Sequence, residues 1–120
     1  MDSGCYQLKI KIKKNISIKV GALGICSFAA GNYVYTGSAM RKMSRRIARH
    51  QRKDKKLHWH IDYLLAHQEV DLIEIVSYLS LIKEECKYNQ NLLSKGGKTP
   101  ILGFGSSDCR TCPAHLIKVD

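Results

Sequence analysis

Acid is scarce in this chain: ten Asp and Glu stand against twenty Lys and Arg, giving a formal net charge of +10 over 120 residues. A surface so short of negative charge draws polyanions across a screening length of roughly 8 Å at physiological salt. Nucleic acid is the first partner this implies and an anionic membrane surface the second. Long apolar runs are missing too. The longest, Val20 to Tyr35, is cut by Gly21, Gly24, Gly31 and Asn32, too broken and too short for a membrane span. Met1-Asp2-Ser3-Gly4 has no basic region followed by an apolar stretch, so no secretory leader and a cytoplasmic protein are expected. Five cysteines without a leader argue for reduced thiols or a metal, against a disulfide framework. Internal repeats and low-complexity segments are absent. What is present is an ordinary globular balance, 44% apolar and 25% charged, of a size for one domain over residues 1–120.

Tyr6 to Lys14 alternates strictly, with Leu8, Ile10 and Ile12 on one face and lysines on the other, the pattern of a half-buried strand. Asn15 offers a turn and Ile16 to Val20 alternates again, which predicts a hairpin between the two. Short apolar pieces follow at Leu23–Phe28 and Tyr33–Thr36, separated by a turn at Gly31-Asn32. From Met40 to Arg52 the spacing becomes helical, since Met40, Met43, Ile47 and His50 or Gln51 fall three and four apart. Val70 to Leu79 is dense in β-branched residues and reads as a strand. Leu81 to Leu93 reads as a helix stopped by Gly96-Gly97, and the tail from Pro100 as loop with a closing extended segment at His115–Val119.

Chemistry gathers around Tyr35-Thr36-Gly37-Ser38-Ala39 and the basic run Arg45-Arg46-Ile47-Ala48-Arg49-His50. A strand broken at glycine and followed by an arginine-rich helix sets a hydroxyl, guanidiniums and an imidazole at one end of a sheet. Such groups suit a phosphodiester, because cations hold the phosphate while a hydroxyl or imidazole handles a proton. Arg46 and His50, four apart, share a helix face. Arg45, Arg49, Arg52 and Lys53 extend the cationic surface and are candidates for contact with nucleic acid; a plain solvated face is the competing reading.

Gly4-Cys5-Tyr6 and Tyr35-Thr36-Gly37 resemble the paired half-motifs of the GIY-YIG nucleases. The stretches Gly31 to Met40, Arg46 to His50, His58 to Leu64, Glu85-Cys86 and Phe104 to Cys109 resemble the DUF123 branch, a group of small prokaryotic proteins some of which are fused to a DNA-repair glycosylase. The similarity runs from Gly4 to Leu116. It implies an α+β fold, a small central antiparallel sheet flanked by helices, and cleavage of a phosphodiester dependent on Mg²⁺ or Mn²⁺. It also implies that Tyr6 deprotonates the attacking water, that Tyr35 hydrogen-bonds near the scissile phosphate, that Arg46 stabilises developing charge beside His50, and that Glu85 holds the metal. Two departures from the family pattern stand out. The tyrosines here are separated by an extra hairpin and a Gly-rich piece, and counting from Tyr35 favours Arg45 where helix spacing to His50 favours Arg46. Glu84 competes with Glu85, because neighbours on a helix point about 100° apart.

Two further clusters are left open. In His58-Trp59-His60-Ile61-Asp62, His60 or Asp62 is a secondary candidate for proton transfer or metal binding, while Trp59 reads equally as a core anchor. Cys109-x-x-Cys112-x-x-His115 has the ligand types and spacing of a Zn²⁺ site that lacks a fourth ligand, for which Cys86 is available; reduced loop cysteines are the alternative. The function expected from all this is a metal-dependent DNA endonuclease, in repair or defence. A non-catalytic nucleic-acid-binding module and an accessory domain for a DNA-repair partner are the alternatives.

Overall fold

Alternating residues on the first strand decide the architecture. In the computed structural model, which describes residues 2–53, 56–57, 59–80, 85–99, 101, 104 and 114–119 (with side chains from Tyr88 onward in the last helix), β1 runs Gly4–Ile12. Its partner on one side is β4 (Gly31–Ala39) and on the other β5 (Val70–Leu79), both antiparallel, and β6 (Leu116–Lys118) extends the sheet to the order β5-β1-β4-β6. Between β1 and β4 the chain makes a separate two-stranded ribbon, β2 (Ile16–Lys19) with β3 (Ile25–Phe28). Three helices complete the α+β fold: α1 (Met43–Gln51), α2 (His60–Leu65) and α3 (Glu85–Ser94).

The expected hairpin between the first two strands is therefore not formed. A period of two identifies a half-buried strand but not its neighbour, and β1 finds two central-sheet partners while β2 turns to β3. The first helix begins at Met43 and not at Met40, since β4 carries pairing through Ala39 and Lys42 adopts a left-handed φ of 52° that turns the chain. The loop tail from Pro100 falls largely outside the described residues, as do Leu81 to Glu84 of the expected third helix.

One sheet face carries Tyr6, Leu8, Ile10 and Ile12 of β1 with Tyr33 and Tyr35 of β4, and these pack with Met43, Ile61, Leu64 and Phe104 into a single core. The opposite face carries Gln7, Thr36 and Tyr78. There Tyr78 stacks on Tyr88 of α3 with ring centroids 4.4 Å apart and reaches the Gln7 amide oxygen with its hydroxyl. Helices α1 and α2 thus lie on the tyrosine face and α3 on the other.

Candidate phosphate-binding site on the first helix

Both motif glycines make room for backbone or ring. At Gly37, directly across from Tyr6 in the β1–β4 register, an added Cβ would sit 2.7 Å from the Tyr6 ring and hydroxyl. The end of the Tyr6 ring therefore fits against β4 because position 37 has no side chain. Gly4, at φ 145°, packs its Cα against the carbonyl of Tyr78 in a conformation open to glycine.

Helix α1 has a narrow apolar stripe of Met43, Ile47 and His50, so its start depends on a cap from elsewhere in the chain. Asp2 supplies it: its backbone oxygen accepts from the Met43 N–H at 3.0 Å, and its carboxylate accepts from the Ser44 N–H at 2.9 Å and the Ser44 hydroxyl at 2.8 Å. Those hydrogen bonds, the backbone one first, hold the Asp2 carboxyl below its ordinary range. So anchored, α1 turns Arg46 and His50 towards β1 and leaves Arg45 and Arg52 exposed.

Tyr6 Oη and His50 Nε2 lie 2.8 Å apart, and both residues are 2% exposed. Burial pushes the Tyr6 phenol up to about 12, against the pull of the Arg46 guanidinium, which is hydrogen-bonded to it. Arg46 also donates to the Ser38 carbonyl at 2.6 Å. Tyr35 joins through rings, its centroid 6.3 Å from His50 and 6.5 Å from Phe104. Four of the residues singled out in the sequence, Tyr6, Tyr35, Arg46 and His50, are therefore gathered in one place. Arg45 is not among them, and it is Arg46 that reaches Tyr6 and Ser38.

Outside this cluster opens a groove of about 510 Å³ whose wall comprises Arg41, Lys42, Arg45, Arg46, Ala48, Arg49, Arg52 and Trp59, with no acidic residue among the described ones. Among the groove cations Arg49 is tied to a carboxylate: it grips buried Asp62 with two hydrogen bonds, 2.8 and 2.9 Å. Asp62 also accepts the Trp59 N–H at 2.8 Å, which caps α2. That carboxylate is thus used in holding α1 to α2. The indole of Trp59 lies under two guanidiniums, Arg46 at 4.7 Å and Arg49 at 4.4 Å from its centroid. Sequence spacing gives no hint of this contact, because Trp59 and the arginines come together only when α2 docks on α1.

The other candidates have different surroundings. His60 contacts Phe104 at 5.6 Å, and burial lowers its pKa, favouring the neutral ring. Lys53 donates to the carbonyls of His67 (2.7 Å) and Val70 (2.6 Å), away from the groove wall. His115 is buried beside β6, its backbone oxygen accepting from Thr36. Cys109, Cys112, Glu84 and the side chains of Glu85 and Cys86 lie outside the described residues. Glu85 opens α3, the helix on the opposite sheet face. Among the described residues no three His, Cys, Asp or Glu converge to hold an ion.

The model of the DUF123 family, a domain of unknown function, matches residues 5–120, and the chain belongs to that family. No curated protein and no solved structure matches it. No helix among the described residues is long and apolar enough to cross a membrane.

Proposed function

We propose that this DUF123 domain holds the phosphate backbone of nucleic acid in the α1 groove and hydrolyses a phosphodiester at its inner end. The observation that carries the reading is the meeting of buried Tyr6 and His50 with Arg46, which also lines a groove rich in arginine and, among the described residues, without acid. The resemblance of Gly4-Cys5-Tyr6 and Tyr35-Thr36-Gly37 to the GIY-YIG half-motifs supports it.

Phosphate enters along Arg45 and Arg52 and is held at Arg46, whose guanidinium has donors beyond the one spent on Ser38. A phenol held near 12 is a poor base by itself at neutral pH. The 2.8 Å contact to His50 offers the remedy: as Tyr6 takes a proton from water, its own proton passes to Nε2 of the neutral imidazole. The water oxygen bonds to phosphorus, the ester P–O bond breaks, and the departing oxygen takes a proton from solvent. Arg46 meets the charge that builds on the phosphoryl oxygens. Glu85, which the family resemblance implies as the Mg²⁺ or Mn²⁺ ligand, opens α3 on the opposite sheet face, so the described residues of the groove do not fit a metal and no step runs through one.

A second reading, binding without cleavage, draws on a specific observation: Tyr6 and His50 are each 2% exposed, and α3 packs on the far face of the sheet. Incubation with single- and double-stranded DNA and Mg²⁺ or Mn²⁺ separates the two. The first reading expects strand scission that disappears in a Tyr6→Phe variant. Equal background cutting by both proteins, with salt-sensitive binding that survives Tyr6→Phe, leaves the second.

A further inference from the structure

Arg46 and Arg49 sit one helical turn apart on α1, and both guanidinium carbons lie within 5 Å of one indole centroid. Two like charges so close repel, and two long side chains beside an open groove would ordinarily sweep through it. Arg49 is restrained by the fully buried carboxylate of Asp62. The same carboxylate accepts the Trp59 N–H, so the indole's backbone and Arg49 are pinned to one group. Arg46 has no carboxylate partner among the described residues. It is held by the Ser38 carbonyl, the Tyr6 phenol and the indole face.

We infer that Trp59 is a positioning residue: its ring fixes the Arg46 guanidinium in the orientation from which it addresses both Tyr6 and a ligand in the groove. The face of an aromatic ring attracts a cation without occupying its N–H groups. Arg46 thus keeps donors for a phosphate while losing the freedom that binding would otherwise have to remove. Asp62 acts one step further back, by fixing the segment that carries the indole. The functional consequence rests on the phosphate-binding reading of the groove, whereas the restraint on Arg46 stands without it.

Trp59 also touches the core through the His50 ring at 5.8 Å, so the test must separate positioning from packing. In the wild-type protein without DNA, the Arg46 Nε–H should be protected from exchange with water in a proton–nitrogen spectrum. Trp59→Leu should abolish that protection at unchanged fold, and Trp59→Phe should keep most of it. With a labelled DNA oligonucleotide, Trp59→Leu should weaken binding about tenfold and Trp59→Phe about threefold. Placed in an Arg46→Ala background, Trp59→Leu should cost less than about twofold more, because its effect runs through Arg46. Full additivity of Trp59→Leu with Arg46→Ala, equal losses for the Leu and Phe variants, or unchanged Arg46 exchange in Trp59→Leu would each overturn the inference. Trp59→Met takes the place of Trp59→Leu if the latter fails to fold. A wild-type protein that binds no DNA ends the nucleic-acid reading, and the exchange measurement still decides the positioning claim.

Discussion

Two stretches of this chain are rich in cations, and they are arranged in opposite ways. Along β1 and its exit the lysines project beside an acidic strand: Lys9 of β1 meets Glu74 at 2.9 Å, while past the strand's end Lys13 meets Asp71 at 3.7 Å and Lys14 reaches Glu69 at 3.5 Å. On α1 the arginines line a groove without acid among the described residues, and the described carboxylates nearby are already committed, Asp2 to the helix start and Asp62 to Arg49. Sequence charge alone would rank the regions as equals. Neighbours make one a screened ladder and the other a concentrated positive field.

Charge reversal gives the largest expected contrast. Arg45→Glu with Arg52→Glu should weaken DNA binding by about a thousandfold at low salt, since each reversal removes a phosphate contact and adds a repulsion. Lys9→Glu with Lys13→Glu should change it less than about threefold, measured by anisotropy of a labelled oligonucleotide. Comparable losses would dissolve the distinction between the two regions.

A smaller effect comes from alkaline pH, through a buried phenol that the ladder lacks. Tyr6 has an ordinary pKa of 10.0 and a folded value of about 12, so the folded state holds its proton more tightly than the unfolded state. The corresponding stability is complete below pH 10 and is lost as pH rises to 12. Denaturant melts of the wild type should show an extra loss of roughly 2–3 kcal/mol across that window relative to Tyr6→Phe. Parallel curves would place the phenol in water. The smallest effect concerns the ladder itself: a Lys9–Glu74 double-mutant cycle should return under about 1 kcal/mol, as exposed pairs do.

Much of this arrangement was legible before folding. Alternation announced β1 with its inward Leu8, Ile10 and Ile12, and the β-branched run announced β5. The helical spacing of Arg46 and His50 placed both on one side of α1. What stayed hidden was pairing across long sequence separations. Strand β1 passes over the adjacent β2 for β4 and β5, because a period of two is satisfied by any partner that covers the apolar face. Helix α2, six residues long, offers too few turns for a periodicity to declare itself. The part played by Asp62 was equally invisible, since a carboxylate near histidines suggests chemistry until its partners, Arg49 and the Trp59 N–H, are known. Gly37 was visible as half of a motif, but its reason, the Tyr6 ring lying over it, needed the register.

On the proposed reading α1, and not β1, meets the phosphates. The salt dependence of duplex binding tests it most directly, because each phosphate contact contributes about 0.9 to the slope of log affinity against log salt. Arg45→Ala should lower that slope by about one, and Lys9→Ala should leave it unchanged. The opposite pattern, an unaltered slope for Arg45→Ala and a reduced one for Lys9→Ala, would contradict the account.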